Sequence, residues 1–371
     1  MKKTHICYLI SSLCNEGPTN VMYNIIQYLD FDKFDVSIVT LVPEKENSRF
    51  QEFSKFPITI YQLSPNRFLN PLKLYSALRK QVKTINPDKL HAHCPRSLYL
   101  MCFLPRKYKR VYTIHIYPGL QQQILYGKFK GDIVNTLNHF FTRKCDLPIG
   151  CALSVGELYK ENKGWNILSI PNGSSLPIWQ RNEEEKRKIR TELGIDNSRK
   201  YFIFIGRFSN EKNPDFLVEV FNSLEEKNIG LIMLGNGPLW ETLKQKAQSN
   251  IIIPGFTARV YDYLKAANYY VSASDVEGLA NTILESMTVG LPMLLSDIPS
   301  HREVLQRFPQ NSVGFIFDNK NIEDTHAKIN EILQFDAEEA TKNIQDVFCD
   351  FYTAKVMSEA YQKAYIELFN K

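Results

Sequence analysis

The sequence predicts an α/β protein built from two doubly wound parallel-sheet domains, and three observations carry this. Apolar runs of strand length alternate with apolar-periodic helices along the chain, the pattern of a parallel sheet with helices on both faces. The chain has 371 residues, too many for one ordinary core and enough for two domains of about 180 each. A cluster of turn residues, Ile170-Pro171-Asn172-Gly173-Ser174-Ser175, stands near the middle and marks a linker just beyond it.

Composition narrows the class. At 44% hydrophobic and 23% charged residues the chain has the balance of a soluble globular protein. The longest apolar candidate, Leu98 to Leu104, is far short of the ~18 residues of a membrane span. Met1 to His5 leads at once into a strand with no cleavage site behind it, so a cytoplasmic protein is expected. Seven scattered cysteines without a C-x-x-C suggest neither a disulfide framework nor a zinc site. Charge is uneven: residues 1–170 carry 23 Lys and Arg against 12 Asp and Glu, the remainder 22 against 28. Clusters at Arg106-Lys107-Tyr108-Lys109-Arg110, at Lys128 and Lys130, and at Arg143-Lys144 suit anionic lipid headgroups or a pyrophosphate-bearing acceptor. No nucleic-acid-binding motif is present, and nucleic acid is not expected as a partner.

In the first half, His5–Ile10 reads as a buried strand, followed by a loop from Ser11 to Pro18 and a helix from about Thr19 to Leu29. Strands follow at Asp35–Val42, Ile58–Leu63, Lys89–His93, Arg110–His115, Leu147–Gly150 and Asn166–Ile170. Helices are expected from Asn70-Pro71 to about Ile85, around Ile133–Lys144, and near Val155–Glu161. Ligands of such sheets bind beyond the C-terminal ends of the strands. The Glu16-Gly17 loop, His93 and His115 all fall there, although a single histidine at a strand end is more often structural.

In the second half, Glu183–Leu193 reads as a charged, solvated helix. The buried strand Tyr201–Ile205 then delivers Arg207, with Lys212 five residues on at a helix start. Arginine bonds a diphosphate bidentately and lysine adds a mobile point charge, so the two make a plausible clamp. The next strand, Leu231–Leu234, ends in Gly235-Asn236-Gly237-Pro238, a turn in which backbone can approach a nucleotide. A strand from Ile251 runs to Thr257. After the strand Tyr269–Ala273 comes Ser274-Asp275-Val276-Glu277-Gly278-Leu279-Ala280-Asn281, and a helix from Thr282 to Val289 that stops at Gly290. Glu277 and Glu285 thus flank a helix N-terminus whose N–H groups suit a phosphate. Read singly, both would be solvated glutamates.

Together these strings resemble the family-4 retaining glycosyltransferases. The resemblance rests on Glu277-x7-Glu285 with Gly290-Leu291-Pro292 and Ser296-Asp297 behind it, and on Gly206-Arg207-Phe208 with Lys212-Asn213. It rests also on Gly235-Asn236-Gly237-Pro238, Pro87-Asp88-Lys89-Leu90-His91-Ala92-His93, Thr113-Ile114-His115 and Ile170-Pro171-Asn172-Gly173. It implies the GT-B fold, two Rossmann-like domains facing across a cleft. Residues 1–175 would bind the acceptor and 176–352 the nucleotide sugar. Residues 353–371 would form a helix packing back on the first domain, with Met357, Tyr361, Tyr365 and Phe369 in one stripe. The implied reaction moves a hexosyl or N-acetylhexosaminyl group, with retention, from a nucleotide diphosphate sugar (UDP favoured) to a hydroxyl of a glycan or lipid-linked glycan, in bacterial surface polysaccharide synthesis. The catalytic residues implied are Glu277, beside the donor sugar, and His115. The donor-binding residues are Arg207, Lys212, Gly278, Leu279, Ala280, Asn281, Glu285 on the ribose hydroxyls, Gly17, Gly235 and Thr257. No metal and no cofactor beyond the donor is expected, and the place of work is the cytoplasm or the cytoplasmic face of the plasma membrane.

The chain departs from the family pattern at four points: Glu16-Gly17-Pro18 replaces a double glycine, Ser175 replaces the usual Asp after Ile170-Pro171-Asn172-Gly173, Gly278-Leu279-Ala280 replaces Gly-Phe-Gly, and Pro299-Ser300-His301-Arg302 replaces a Gly-Gly segment. A GDP-mannose-dependent mannosyltransferase and a non-catalytic glycosyltransferase-like partner subunit are the alternatives. The subunit should have lost some of Glu277, Glu285, Arg207 or Lys212, and all four are present.

Overall fold

The computed structural model describes residues 3–64, 70–226 and 228–368. The chain divides into two compact units, Met1–Ser175 with Thr353–Lys371, and Leu176–Tyr352. The first contains β1 (Thr4–Ile10), α1 (Gly17–Gln27), β2 (Phe34–Thr40), α2 (Phe50–Phe53), β3 (Thr59–Gln62), α3 (Pro71–Ile85), β4 (Lys89–Ala92), α4 (Pro95–Phe103), β5 (Lys109–Ile114), α5 (Leu120–Tyr126), α6 (Lys128–Thr142), β6 (Leu147–Gly150), α7 (Leu153–Lys163) and β7 (Leu168–Ser169). The second contains α8 (Glu183–Leu193), β8 (Lys200–Ile205), α9 (Pro214–Asn222), β9 (Ile229–Leu234), α10 (Trp240–Lys246), β10 (Ile251–Gly255), α11 (Val260–Ala266), β11 (Tyr269–Ser272), α12 (Asn281–Val289), β12 (Met293–Ser296), α13 (Pro299–Leu305), β13 (Gly314–Phe317), α14 (Ile322–Ile332) and α15 (Ala337–Phe351). The last helix, α16 (Ala354–Glu367), belongs to the first unit.

Each unit holds one parallel sheet. The first is ordered β3-β2-β1-β4-β5-β6-β7 and the second β10-β9-β8-β11-β12-β13. Central strands such as β9, buried from end to end, are continuous apolar runs because helices cover both faces, while edge strand β3 has no buried residue. Strand order reverses between β1 and β4 in one sheet and between β8 and β11 in the other. In open sheets of this kind the crevice beyond the strand ends at that reversal is where ligands sit.

Core packing follows the periodicity of the helices. In the first unit Val21, Met22, Ile25 and Ile26 of α1 meet Ile6, Tyr8 and Ile38 of the sheet. Met357, Tyr361 and Tyr365 of α16 join that cluster, and Ser358 Oγ donates to the Ile25 carbonyl at 2.7 Å. Phe369, expected to complete the stripe, lies outside the described residues. In the second unit Phe202, Phe204, Leu217, Phe221, Leu231 and Met233 form the centre of the core.

Three local expectations are corrected. Helix α1 begins at Gly17 rather than Thr19, because Pro18 occupies the first turn, where a missing N–H costs nothing. Ile133–Lys144 is the latter part of a longer helix, α6, which starts at Lys128 after a break at Gly127 (φ 77°). Helix α8 is not simply solvated. Its Lys186 and Arg190 are buried, and the Arg190 guanidinium donates to the carbonyls of Ala266 and Arg199 and to Asn268 Oδ1 at 2.7–3.0 Å.

Candidate active site

In the second unit, strands β8 and β11 lie side by side at the reversal and their loops carry the charged residues. Beyond β8, Arg207 is exposed and Lys212 closes a single 3-10 turn, Asn210–Lys212. Beyond β11, Glu277 stands in the loop that leads to α12. Lys212 Nζ donates to Glu277 Oε1, and Ser274 Oγ donates to the same oxygen at 3.0 Å. The Glu277 side chain is only 7% exposed and that of Lys212 23%, so the carboxylate is held from two sides inside the loop.

The loops are tied to each other by backbone as well. Asp275 N donates to the Glu211 carbonyl at 2.9 Å, and Ser209 Oγ donates to the buried Glu211 carboxylate at 2.7 Å. Asn319, after β13, donates through Nδ2 to the Ala273 carbonyl and Asp275 Oδ1, both at 2.9 Å. From β12, Ser296 Oγ donates to the Ser274 carbonyl at 2.6 Å. Behind it, His301 Nδ1 lies 2.9 Å from the Ser296 carbonyl, an acceptor only, so Nδ1 carries the proton. His301 is fully buried and its imidazole is pushed down to about 4, chiefly by burial. Four strand ends thus converge behind Glu277.

Gly278 and Leu279 are buried, Ala280 is the N-cap of α12 and Asn281 its first residue. Glu285 lies in the second turn of α12, half-buried. Between strand and helix, the Tyr270 phenol pairs with Thr282 Oγ1 at 2.8 Å. Burial pushes that phenol up, and the charges of Glu277 and Glu285 both add to the rise, which puts the two carboxylates within electrostatic reach of one ring.

Gly235 follows β9 with φ +146°, and a Cβ there would lie 1.8 Å from the Gly206 carbonyl oxygen. Phe208 N donates to the Asn236 carbonyl at 3.0 Å. These contacts seat the Arg207 loop against the Gly235 turn, so the glycine serves loop packing first. Gly235 N also donates to the Gly255 carbonyl at 3.2 Å, which brings the β10 end into the row. There Thr257 Oγ1 accepts from Arg259 N at 3.0 Å.

The first unit has its own row at the β1/β4 reversal. Gly17 opens α1, and a Cβ on it would meet nothing within 4 Å. His93 and His115, beyond β4 and β5, have ring centroids 5.4 Å apart. Burial pushes both imidazoles down, that of His115 to about 4. Neither nitrogen of His93, nor Nε2 of His115, has a hydrogen-bond partner among the described residues. His91 serves the fold instead: its ring nitrogens meet Tyr365 Oη at 2.7 Å and Thr113 Oγ1 at 2.8 Å. The chain's Asp-x-Asp, Asp30-Phe31-Asp32, lies in the α1–β2 turn, away from the C-terminal ends of the strands, and Asp30 is paired there with Lys33 at 2.7 Å. Among the described residues no group of three or more His, Cys, Asp or Glu side chains could hold a metal ion.

Sequence reasoning gave no role to Ser209, Glu211, Ser274, Ser296, His301 or Asn319. All six lie within five residues of Lys212, Glu277 or a strand end. Polar residues crowding the carboxyl end of an apolar strand are the signal that could have found them.

Comparison with known proteins agrees with this layout. Residues 16–176 match the family described as Glycosyltransferase Family 4, and residues 185–346 that described as Glycosyl transferases group 1. The chain is 32% identical to the alpha-monoglucosyldiacylglycerol synthase of Streptococcus pneumoniae over 69% of its own length and 62% of that protein. It is 31% identical to TuaC of Bacillus subtilis, named for teichuronic acid biosynthesis, over 61% of its length and 58% of that protein. The chain therefore spans about three fifths of these two relatives. Solved structures share the fold: HepE of Anabaena in complex with UDP has a TM-score of 0.77 at 16% identity, with 98% of this chain and 100% of that one covered. TarM of S. aureus has a TM-score of 0.73 at 15% identity, with 100% and 99% covered. With matches to its two family profiles over nearly the whole chain and two Rossmann-like parallel-sheet units of the GT-B kind, this protein belongs to glycosyltransferase family 4.

Proposed function

We propose that this chain is a retaining glycosyltransferase. It moves a hexosyl or N-acetylhexosaminyl group from a nucleotide diphosphate sugar, UDP favoured, to a hydroxyl of a glycan or lipid-linked glycan acceptor in bacterial surface polysaccharide synthesis. The observation that carries this reading is the pairing of Lys212 with Glu277 at the β8/β11 reversal, with Arg207 on the same loop as Lys212. The reaction's leaving group is a nucleoside diphosphate, whose developing negative charge needs fixed cations and N–H donors. Arg207, Lys212 and the N-terminus of α12 supply them. Glu285 is assigned to the ribose hydroxyls. Glu277 is assigned to the donor sugar, with the backbone of Gly278 to Asn281 beside sugar and phosphate.

In the proposed step the bond from the anomeric carbon to the diphosphate oxygen breaks. The acceptor oxygen bonds to the same face of that carbon, and the acceptor proton passes to the departing phosphate. No protein nucleophile and no metal is assigned. UDP is favoured because HepE was crystallised with UDP and with UDP-glucose. A relative from Escherichia coli, 23% identical over 80% of this chain, is named as a galactosyltransferase acting from UDP-Gal on a diphosphoundecaprenol-linked sugar. That name also supports a lipid-linked acceptor, for which the basic first half would hold the enzyme at the cytoplasmic face of an anionic membrane.

The test is thermal stabilisation by UDP, GDP, ADP and TDP in the presence of a chelator. A ligand that binds only the folded chain at about 100 times its Kd adds about 2.7 kcal/mol. The expected result is a shift with UDP that Arg207→Ala and Glu285→Ala abolish. A shift with GDP alone turns the reading to GDP-mannose, and none with any nucleotide turns it to the non-catalytic subunit. For His115 and Gly17 the proposed donor contacts are tested by the transfer rates of His115→Ala and Gly17→Ala.

A further inference from the structure

Helix α6 is amphipathic the wrong way round. Its inward side is polar: Asn135 Nδ2 donates to the Gly119 carbonyl at 3.0 Å, and Asn138 Oδ1 accepts from the Tyr99 hydroxyl at 2.6 Å. Gly131 and Thr142 are buried on the same side, Gly131 so closely against α5 that a Cβ would lie 2.6 Å from Gln123 Cα. The outward side carries Phe129, Ile133, Leu137 and Phe140, which are 79%, 48%, 41% and 52% exposed. At 100° per residue these four fall within an arc of about 80°, and the inward four lie on the opposite side. A surface helix of a globular protein turns its apolar stripe to the core; this one turns it to water over most of its length. The patch continues onto neighbouring elements. Leu125 and Tyr126 of α5 are exposed beside it, and Phe103 of α4, 62% exposed, reaches Phe140 through the ring of Phe141. Contiguous apolar surface of this kind marks a place of contact.

The charge around the stripe selects the partner. Residues 95–144 hold nine Lys and Arg against one acidic residue, Asp132, which accepts a hydrogen bond from Gln123. Exposed Lys128 and Lys130 bracket Phe129, and the Lys144 ammonium lies 4.2 Å above the ring of Phe140. Two copies of the chain joined through this face would set like charges against each other. A nucleic acid could stack on the exposed rings but would bury the exposed aliphatic Leu125, Ile133 and Leu137 against its charged backbone, with nothing to meet them. An anionic bilayer meets both demands: the apolar stripe enters the headgroup–acyl boundary, and the lysines, with apolar stems and charged tips, stay at the phosphates.

We propose that the outer face of α6, with Leu125, Tyr126 and Phe103 at its margin, is a docking surface for an anionic lipid bilayer. Among the described residues no helix is long and apolar enough to cross a membrane, so this is a surface that lies on the bilayer. The inference deepens the membrane contact of the proposed function by naming the surface that makes it, and does not depend on the donor-site reading.

The experiment is flotation of the purified full chain with vesicles of phosphatidylcholine alone, or with about 30% phosphatidylglycerol, whose surface potential attracts clustered lysines. Two paired variants are run beside it, Phe129→Ser with Phe140→Ser, and Lys128→Gln with Lys130→Gln. All four residues are exposed, and an unchanged far-UV circular dichroism spectrum and thermal midpoint in each variant report that the first unit, which carries them, is intact. The wild-type chain is expected to float with the anionic vesicles only. The phenylalanine pair should lose about tenfold or more of this binding at every salt concentration, as apolar insertion requires. The lysine pair should lose about tenfold at low salt and much less at 0.5 M, where charges are screened. Unchanged flotation of the phenylalanine pair overturns the proposal, as does equal binding to neutral vesicles. A wild-type dimer in sedimentation that the phenylalanine pair dissolves overturns it in favour of self-association. A chain that floats as expected but shows no shift with UDP leaves this surface standing and fails the donor reading alone.

Discussion

Lys212 is bonded to Glu277 through the same carboxylate oxygen that Ser274 holds at 3.0 Å. The proposed function asks Lys212 to meet a diphosphate and Glu277 to meet a sugar, so the pair must part or be shared when the donor enters. Glu277→Gln keeps the shape and removes the competing charge. It is expected to leave UDP affinity equal or tighter in calorimetric titration, while the transfer rate falls about 100-fold or more, the scale of losing one preorganised polar group. Parallel loss of both would mean that Glu277 holds the nucleotide, and would move the sugar contact elsewhere.

Two glycines separate packing from ligand contact. At Gly235 an added methyl strikes the Gly206 carbonyl at 1.8 Å in a left-handed-region backbone, so Gly235→Ala should displace the Arg207 loop. We expect a loss of about 1–3 kcal/mol in urea unfolding together with a donor KM raised about tenfold. At Gly17 the added methyl meets nothing within 4 Å, and alanine suits a first helical turn. Gly17→Ala should therefore unfold within about 0.5 kcal/mol of wild type. A fall in its transfer rate at unchanged stability assigns the Gly17 loop to ligand; an unchanged rate removes Gly17 from the site.

The two parallel sheets were legible because Ile6–Ile10 of β1, Tyr201–Ile205 of β8 and the whole of β9 are apolar runs set between helices, the pattern of strands covered on both faces. The Arg207, Lys212 and Glu277 loops were legible from their places after strands. What could not be read was the support behind them. Ser296 supports Glu277 through Ser274, with His301 behind it, across strands 22 or more residues apart in sequence, and nothing in the local pattern of either announces the contact. Helix α8 misled for a related reason. Glu183-Glu184-Glu185-Lys186-Arg187-Lys188 reads as solvent-facing, yet helical spacing turns Lys186 and Arg190 inward beside Ile189. Helix α6 goes the opposite way, with its apolar stripe facing outward.

Buried Lys186 is the clearest liability in the second unit. Burial first, then the charges of Arg181 and Arg190, push its ammonium down to about 7. Between that value and the ordinary 10.5 the unfolded chain binds more protons than the folded one, so stability rises with pH across this window. Lys186→Met keeps the stem and removes the charge. It should stabilise the protein by a few kcal/mol at most near pH 7, less by pH 10, as the uncharged form takes over in wild type too. Arg190→Ala should do the reverse and destabilise by about 2–4 kcal/mol, because it takes a donor from the Ala266 and Arg199 carbonyls and leaves Asn268 Oδ1 with the Tyr201 N–H alone. Denaturant midpoints for the three proteins at pH 7 and pH 10 give the comparison.

Histidine burial sets the acid limit of the fold. His91, His93 and His301 are fully buried, and burial pushes all three well down, His301 to about 4. Each is neutral in the folded chain at pH 6, where the unfolded chain has begun to protonate it. The unfolded state therefore binds more protons between about 6.5 and 4, and stability is full above that window and lost as pH falls through it. For His301 the whole shift bounds the loss at about 3 kcal/mol. The expected curve of thermal midpoint against pH is flat from 8 to 7 and steepens below 6.5. His301→Asn can still donate to the Ser296 carbonyl through its amide but cannot titrate. It should flatten the descent between pH 6 and 4.5 while lowering stability at pH 8 by about 1 kcal/mol for the smaller side chain. If the descent is as steep in His301→Asn as in wild type, the acid sensitivity resides in the first unit's histidines that burial pushes down, His91, His93, His115 and His139, and the His301–Ser296 bond contributes none of it.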